Sequence, residues 1–125
     1  MTQTVSSFSS DTIGDHTEVL TLNGTCDLPT AFHAEQRIVS ALDAGRTGII
    51  FDLRGVTSLG HSMLQVFFRA LIRMGPNGRL LLIRPNAHVW SRFGQSGLEQ
   101  GFSTFPDLKG ALAEVSDAPA GIGAR

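Results

Sequence analysis

The chain has 125 residues, room for one domain with one core, and its 42% hydrophobic and 17% charged residues describe a globular composition rather than a disordered one. A formal net charge of -1 gives no reason to expect a nucleic-acid backbone as partner, and apolar runs such as Leu80-Leu81-Leu82-Ile83 fall far short of a membrane span of about 20 residues. Cys26 is the single cysteine, which excludes an intrachain disulfide and a structural zinc site built of several thiolates.

The opening residues, Met1 to Asp11, lack the basic and apolar regions of a signal peptide, so a cytoplasmic protein is expected. Residues 1–16 are polar with scattered Val5, Phe8 and Ile13, which reads as a partly ordered segment holding a short edge strand and a turn near Gly14-Asp15-His16. From Thr17 to Gly24, Leu20 and Leu22 alternate after Val19, which predicts a strand. Pro29 suits a first helical turn, and Ala31, Ala34, Ile38, Ala41 and Leu42 then recur at helical spacing up to Gly45, a residue fitted to the position just past a helix end. Thr47 to Leu53 is a short β-branched apolar run, the pattern of a strand buried on both faces.

Met63 to Met74 reads as a second helix closed by Gly75-Pro76-Asn77-Gly78. Arg79 to Arg84 is another buried strand, followed by a helix from Ala87 to Phe93 ended by Gly94. A turn and short strand occupy Ser96 to Phe105, Pro106-Asp107 opens a last helix through Val115, and 116–125 is a small-residue tail. Strands alternating with helices predict one α/β domain over 17–115, a small mixed sheet with about four helices mostly on one side.

Gly60-His61-Ser62 follows a strand, as the nucleophile of a hydrolase would, but Leu64 replaces the second glycine of Gly-x-Ser-x-Gly and no histidine follows His88. An enzyme is therefore not expected. Ser62-Met63-Leu64-Gln65 instead matches a capping box, with Ser62 as helix cap and Gln65 reciprocating. His16, His33, His61 and His88 form no metal-ligand pair, and no glycine-rich phosphate loop is present, so neither metal nor cofactor is expected. Arg84, His88 and Arg92, four apart, form a basic ridge that is either a solvated face or an attraction for an acidic partner or a nucleotide.

The second helix carries more apolar surface than a sheet-packed helix needs. Leu64, Phe67, Phe68, Leu71 and Ile72 make the natural core face, while Met63, Val66, Ala70 and Met74 widen the apolar arc to roughly 240°. Neighbouring helices could cover the extra strip, or it could be a patch that a partner covers.

The order of these pieces resembles the STAS domain, the fold of bacterial anti-sigma factor antagonists. Leu20-Thr21-Leu22-Asn23-Gly24-Thr25-Cys26-Asp27 is similar to the family's Leu-x-Gly-x-x-Asp segment, and Ile49 to Leu64 to its strand, turn and Asp-Ser-Ser/Thr-Gly-Leu phosphorylation loop. Arg79 to Leu112 resembles the family's closing strand, helix and Phe-rich end. The resemblance implies a binding module that captures an anti-sigma factor, often a serine kinase, and so regulates transcription by partner switching. Ser62 aligns with the phosphorylated hydroxyl, although the loop reads Gly60-His61-Ser62-Met63 where the family favours an acid, a serine, the hydroxyl and glycine. Asp27 matches the loop acid before the first helix, where it caps that helix or meets the partner. Asp27, Gly60, His61, Ser62, Met63, Val66 and Ala70 are thus the candidate partner-binding residues. A STAS subunit of a lipid or anion transport complex, or a stressosome-like scaffold or homodimer, would use the same surface.

Overall fold

Parallel strand pairing separated by helices sets the architecture. The computed structural model of the chain describes residues 7–13, 16–75 and 78–114. Strands β1 (Ser7–Ile13), β2 (Thr17–Cys26), β3 (Gly48–Leu59), β4 (Arg79–Ile83) and β5 (Ser103–Phe105) lie side by side in sequence order as one sheet. Only β1 and β2 pair antiparallel, as expected of a short connection; the later pairs are parallel, and each is bridged by a helical crossover. Those crossovers are α1 (Leu28–Asp43), α2 (His61–Met74), and α3 (Ala87–Ser96) followed by a 3-10 turn over Leu98–Gly101. A last helical run, α4, covers 108–114. Its first turn is capped by Asp107, whose Oδ1 accepts from the amide of Gly110 at 2.9 Å.

The alternation of β3 divides the core in two. Ile49, Phe51, Leu53 and Val56 face α1, α2 and α3, while Ile50 joins Val19, Leu81 and Ile83 beneath Ala111, Leu108 and Leu112. The expected mixed sheet, with most helices on one side, is the fold found. Phe67 stands at the centre of the larger core, edge-on to Phe51, Phe93 and Phe102 with ring centroids 5.0, 5.1 and 5.8 Å away. Ile38, Ala34 and Ala41 of α1 are buried as their spacing predicts. Glu18, 1% exposed, is held by Arg37 of α1 at 2.8 Å and faces Arg46 at 3.6 Å.

Several boundaries differ from expectation for local reasons. β2 and β3 run further than their apolar cores, paired with each other to Cys26 and Leu59 through two register irregularities. α3 continues through Gly94 and stops at Gly97, whose φ of 81° is the left-handed conformation that ends a helix. At the end of α1, Gly45 does terminate the helix: its N–H donates to Leu42 O and that of Arg46 to Ala41 O, both at 3.0 Å. The expected turns at 14–15 and 76–77 and the tail at 116–125 lie outside the described residues.

Candidate docking site

The carboxyl ends of β2 and β3 open onto one end of the sheet, where α/β folds characteristically place their binding loops. The β2–α1 loop contributes Asp27 and the β3–α2 turn contributes Gly60, and the two meet. Gly60 N–H donates to Cys26 O at 2.8 Å, and a Cβ added at Gly60 would lie 3.0 Å from that same oxygen and 3.5 Å from Asp27 Cα. Asp27 and Gly60, 33 positions apart in the chain and both expected at the docking surface, are thus brought together by the fold.

Gly60 is the N-cap of α2, with extended φ/ψ of -81° and 165°, and its carbonyl accepts from Met63 and Leu64. The helix therefore begins at His61, two residues earlier than expected. This corrects the capping box: Ser62 lies inside the first turn, no side chain caps the helix, and Gln65 Nε2 sits 3.3 Å from His61 Nε2 instead of reaching back to a cap. Ser62 is half-buried, and its hydroxyl has no hydrogen-bond partner among the described residues. The amides of His61 and Ser62 have no helical carbonyl behind them, so this turn presents donors and the positive end of the helix dipole.

Asp27 occupies the N-cap position of α1, with its carbonyl accepting from Ala31 at 2.9 Å, but its carboxylate makes no capping hydrogen bond. The side chain is exposed beside the Gly60 turn. Its neighbour Cys26 is fully buried, and burial first, then the Asp27 charge, push that thiol up to about 11.

The apolar flank of α2 differs from expectation. Met63, Val66 and Ala70 are 0%, 2% and 1% exposed, so these side chains are core, packed where α1 and the sheet cover them, and not an open strip. Burying Phe67 at the centre of the phenylalanine cluster rolls the helix by roughly a quarter turn from the expected face. The same roll turns Phe68 and Ile72 outward, at 45% and 79% exposure. Surplus apolar surface therefore exists, carried by other residues. On α1, Leu28 and Phe32 are also exposed, and the pair Arg69–Glu35, at 2.6 and 2.8 Å, ties the two helices. That guanidinium holds the Glu35 carboxyl below its usual range.

From α3, Arg92 Nε donates to Leu59 O at 2.8 Å and Asn86 Nδ2 to Val56 O at 3.3 Å, while Asn86 Oδ1 caps α3 through Val89 N. Arg84 lies over the Trp90 ring, 5.8 Å from its centroid, and Trp90 stacks on buried Phe93. The expected basic ridge is thus partly spent on packing and on the loop, a contact between residues 33 apart that no local spacing signals. No cluster of metal ligands occurs among the described residues.

The family model of the STAS domain matches residues 9–111. No curated protein sequence matches the chain. An anti-sigma factor antagonist from Mycobacterium paratuberculosis has a similar structure, with a TM-score of 0.77 at 22% identity, covering 90% of this chain and 96% of that one. The anti-sigma factor antagonist SpoIIAA in its unphosphorylated form is similar with a TM-score of 0.76 at 22% identity, over 88% of this chain and 96% of that one. The Bacillus cell fate determinant SpoIIAA in its phosphorylated form gives a TM-score of 0.73 at 20% identity, over 87% of this chain and 99% of that one.

Proposed function

The chain belongs to the STAS domain family, and from that premise we propose that it is an anti-sigma factor antagonist, a non-enzymatic module that captures an anti-sigma factor and releases a sigma factor for transcription. The observation that carries this reading is the Gly60 turn: it holds Ser62 in the first turn of α2, its hydroxyl without a hydrogen bond among the described residues, against the loop of exposed Asp27. Two of the solved structures of similar fold are anti-sigma factor antagonists, and one of those proteins, SpoIIAA, has also been solved in its phosphorylated form. The docking face runs from Asp27 and Gly60 through His61 and Ser62 to the outward side of α2, with Phe68 and Ile72 as its apolar anchors.

Phosphorylation of Ser62 would place about -1.5 to -2 charges at a helix N-terminus. The dipole favours charge there, so the domain stays folded. The phosphate acts instead by bulk and repulsion against a partner seated on the same turn. The test is calorimetric titration with a purified serine-kinase-like anti-sigma factor encoded in the same genome. Ser62→Ala should bind like the wild type and Ser62→Asp at least about tenfold more weakly, a loss of about 1.4 kcal/mol. Equal affinities for all three remove the switch; absence of binding by every form removes the antagonist reading.

A further inference from the structure

β4 ends at Ile83, opposite Asp52, so β3 runs on to Leu59 without a strand neighbour on that side. Side chains of α3 and of its N-cap replace the missing strand: Asn86 donates to the carbonyl of Val56 and Arg92 to that of Leu59. Between the strand end and the helix lies a cleft of about 460 Å³, bounded by Ser58, Leu59, His88, Ser91, Arg92 and Gln95. That volume lies within the range of small-molecule sites.

The lining has one chemical bias. It offers a guanidinium, two hydroxyls, a carboxamide and an imidazole, and no carboxylate among the described residues. Arg92 makes no ion pair among the described residues, and only its Nε is engaged, by Leu59 O. That hydrogen bond fixes the guanidinium before any ligand arrives, which lowers the entropy lost on binding. A planar fork held at the edge of a donor-rich, acid-free cleft suits the paired oxygens of a carboxylate or phosphate.

We propose that the cleft between the end of β3 and α3 binds a small oxyanion, a carboxylate or phosphate group, through Arg92 and the hydroxyl and amide donors beside it. Because the same guanidinium holds Leu59, the residue before Gly60, a bound oxyanion is felt at the Gly60 turn.

The test is an NMR titration of the full chain with sodium phosphate and, separately, sodium acetate, at ionic strength held constant with sodium chloride. Saturable shifts confined to Ser58, Leu59, Gly60, the α3 amides and Arg92 Nε–H are expected, with none from chloride alone. A response to phosphate only, or to acetate only, supports the site and names its source. Gln95→Glu sets a carboxylate in the cleft while leaving the Leu59 contact intact, and should weaken binding by about tenfold or more; Arg92→Gln should abolish it. Shifts that never saturate, that spread equally to Arg37 and Arg54, or that persist unchanged in Gln95→Glu overturn the proposal.

Discussion

The amide of Gly60 and the carbonyl of Cys26 are joined by a 2.8 Å hydrogen bond that stitches the β3–α2 turn to the β2–α1 loop. The approach is close enough that a methyl group at Gly60 would press on that oxygen at 3.0 Å. Gly60→Ala therefore adds crowding and also puts a poorer residue at the helix cap, and both effects have the same sign. A loss of about 1 kcal/mol is expected in denaturant unfolding. Gly60→Asp meets the same crowding but supplies a capping carboxylate, so it should lose less than Gly60→Ala. A gain in stability from alanine would show that the turn is looser than this contact implies.

The roll of α2 separates interior from surface along one helix. Val66→Asp buries an unpaired carboxylate and should abolish the cooperative thermal transition. Ile72→Ser, at a position 79% exposed, should leave stability within about 0.5 kcal/mol. If Ile72 anchors a partner, its serine variant lowers affinity while the melting curve stays in place. Binding and melting measured on the same preparations check both.

Cys26 makes stability depend on pH in the alkaline range. Its thiol ionises near 9.0 when free and at about 11 in the fold, so the folded state holds its proton more tightly than the unfolded chain. The resulting stabilisation is complete below about pH 9 and is lost as pH rises toward 11, to an extent of about 2–3 kcal/mol. Denaturant unfolding of wild type and Cys26→Ala at about pH 8 and pH 11 checks this, the variant being the less sensitive. The native thiol should also resist alkylation at neutral pH until the chain unfolds.

Glu18 is the most deeply buried charge described, and its charged partners come from α1 and the segment after it, beside the hydroxyl of Thr12 on β1 at 3.5 Å. Glu18→Ala leaves Arg37 and Arg46 without this carboxylate, and a loss of about 3 kcal/mol is expected. Chemical denaturation measures it; a loss below about 0.5 kcal/mol would mean that solvent already carries these charges.

Residue patterns made the element order and the main core legible, because Ile38, Ala34 and Ala41 fall on one helical face and Ile49 to Leu53 alternate across a buried strand. The nearness of Asp27 and Gly60 was legible only through family resemblance. The rotation of α2 was not legible. Nearly every position from Met63 to Met74 except Gln65, Arg69 and Arg73 is apolar, so periodicity alone leaves the inward direction undetermined. Contacts with Phe51, Phe93 and Phe102, distant in sequence, decide it. On α1 the signal was available: Leu28 and Phe32 stand off the alanine-isoleucine face, and both are exposed.

The phenylalanine cluster acts as a keyed axle. With Phe67 seated among three other rings, α2 is held in an orientation in which Phe68 and Ile72 reach solvent together. A smaller residue at that hub leaves a cavity among those rings and loosens the hold on that orientation, so the outer surface is less firmly presented although no outer residue is replaced. A genetic screen for lost recognition would accordingly recover hub substitutions that never touch the recognised molecule.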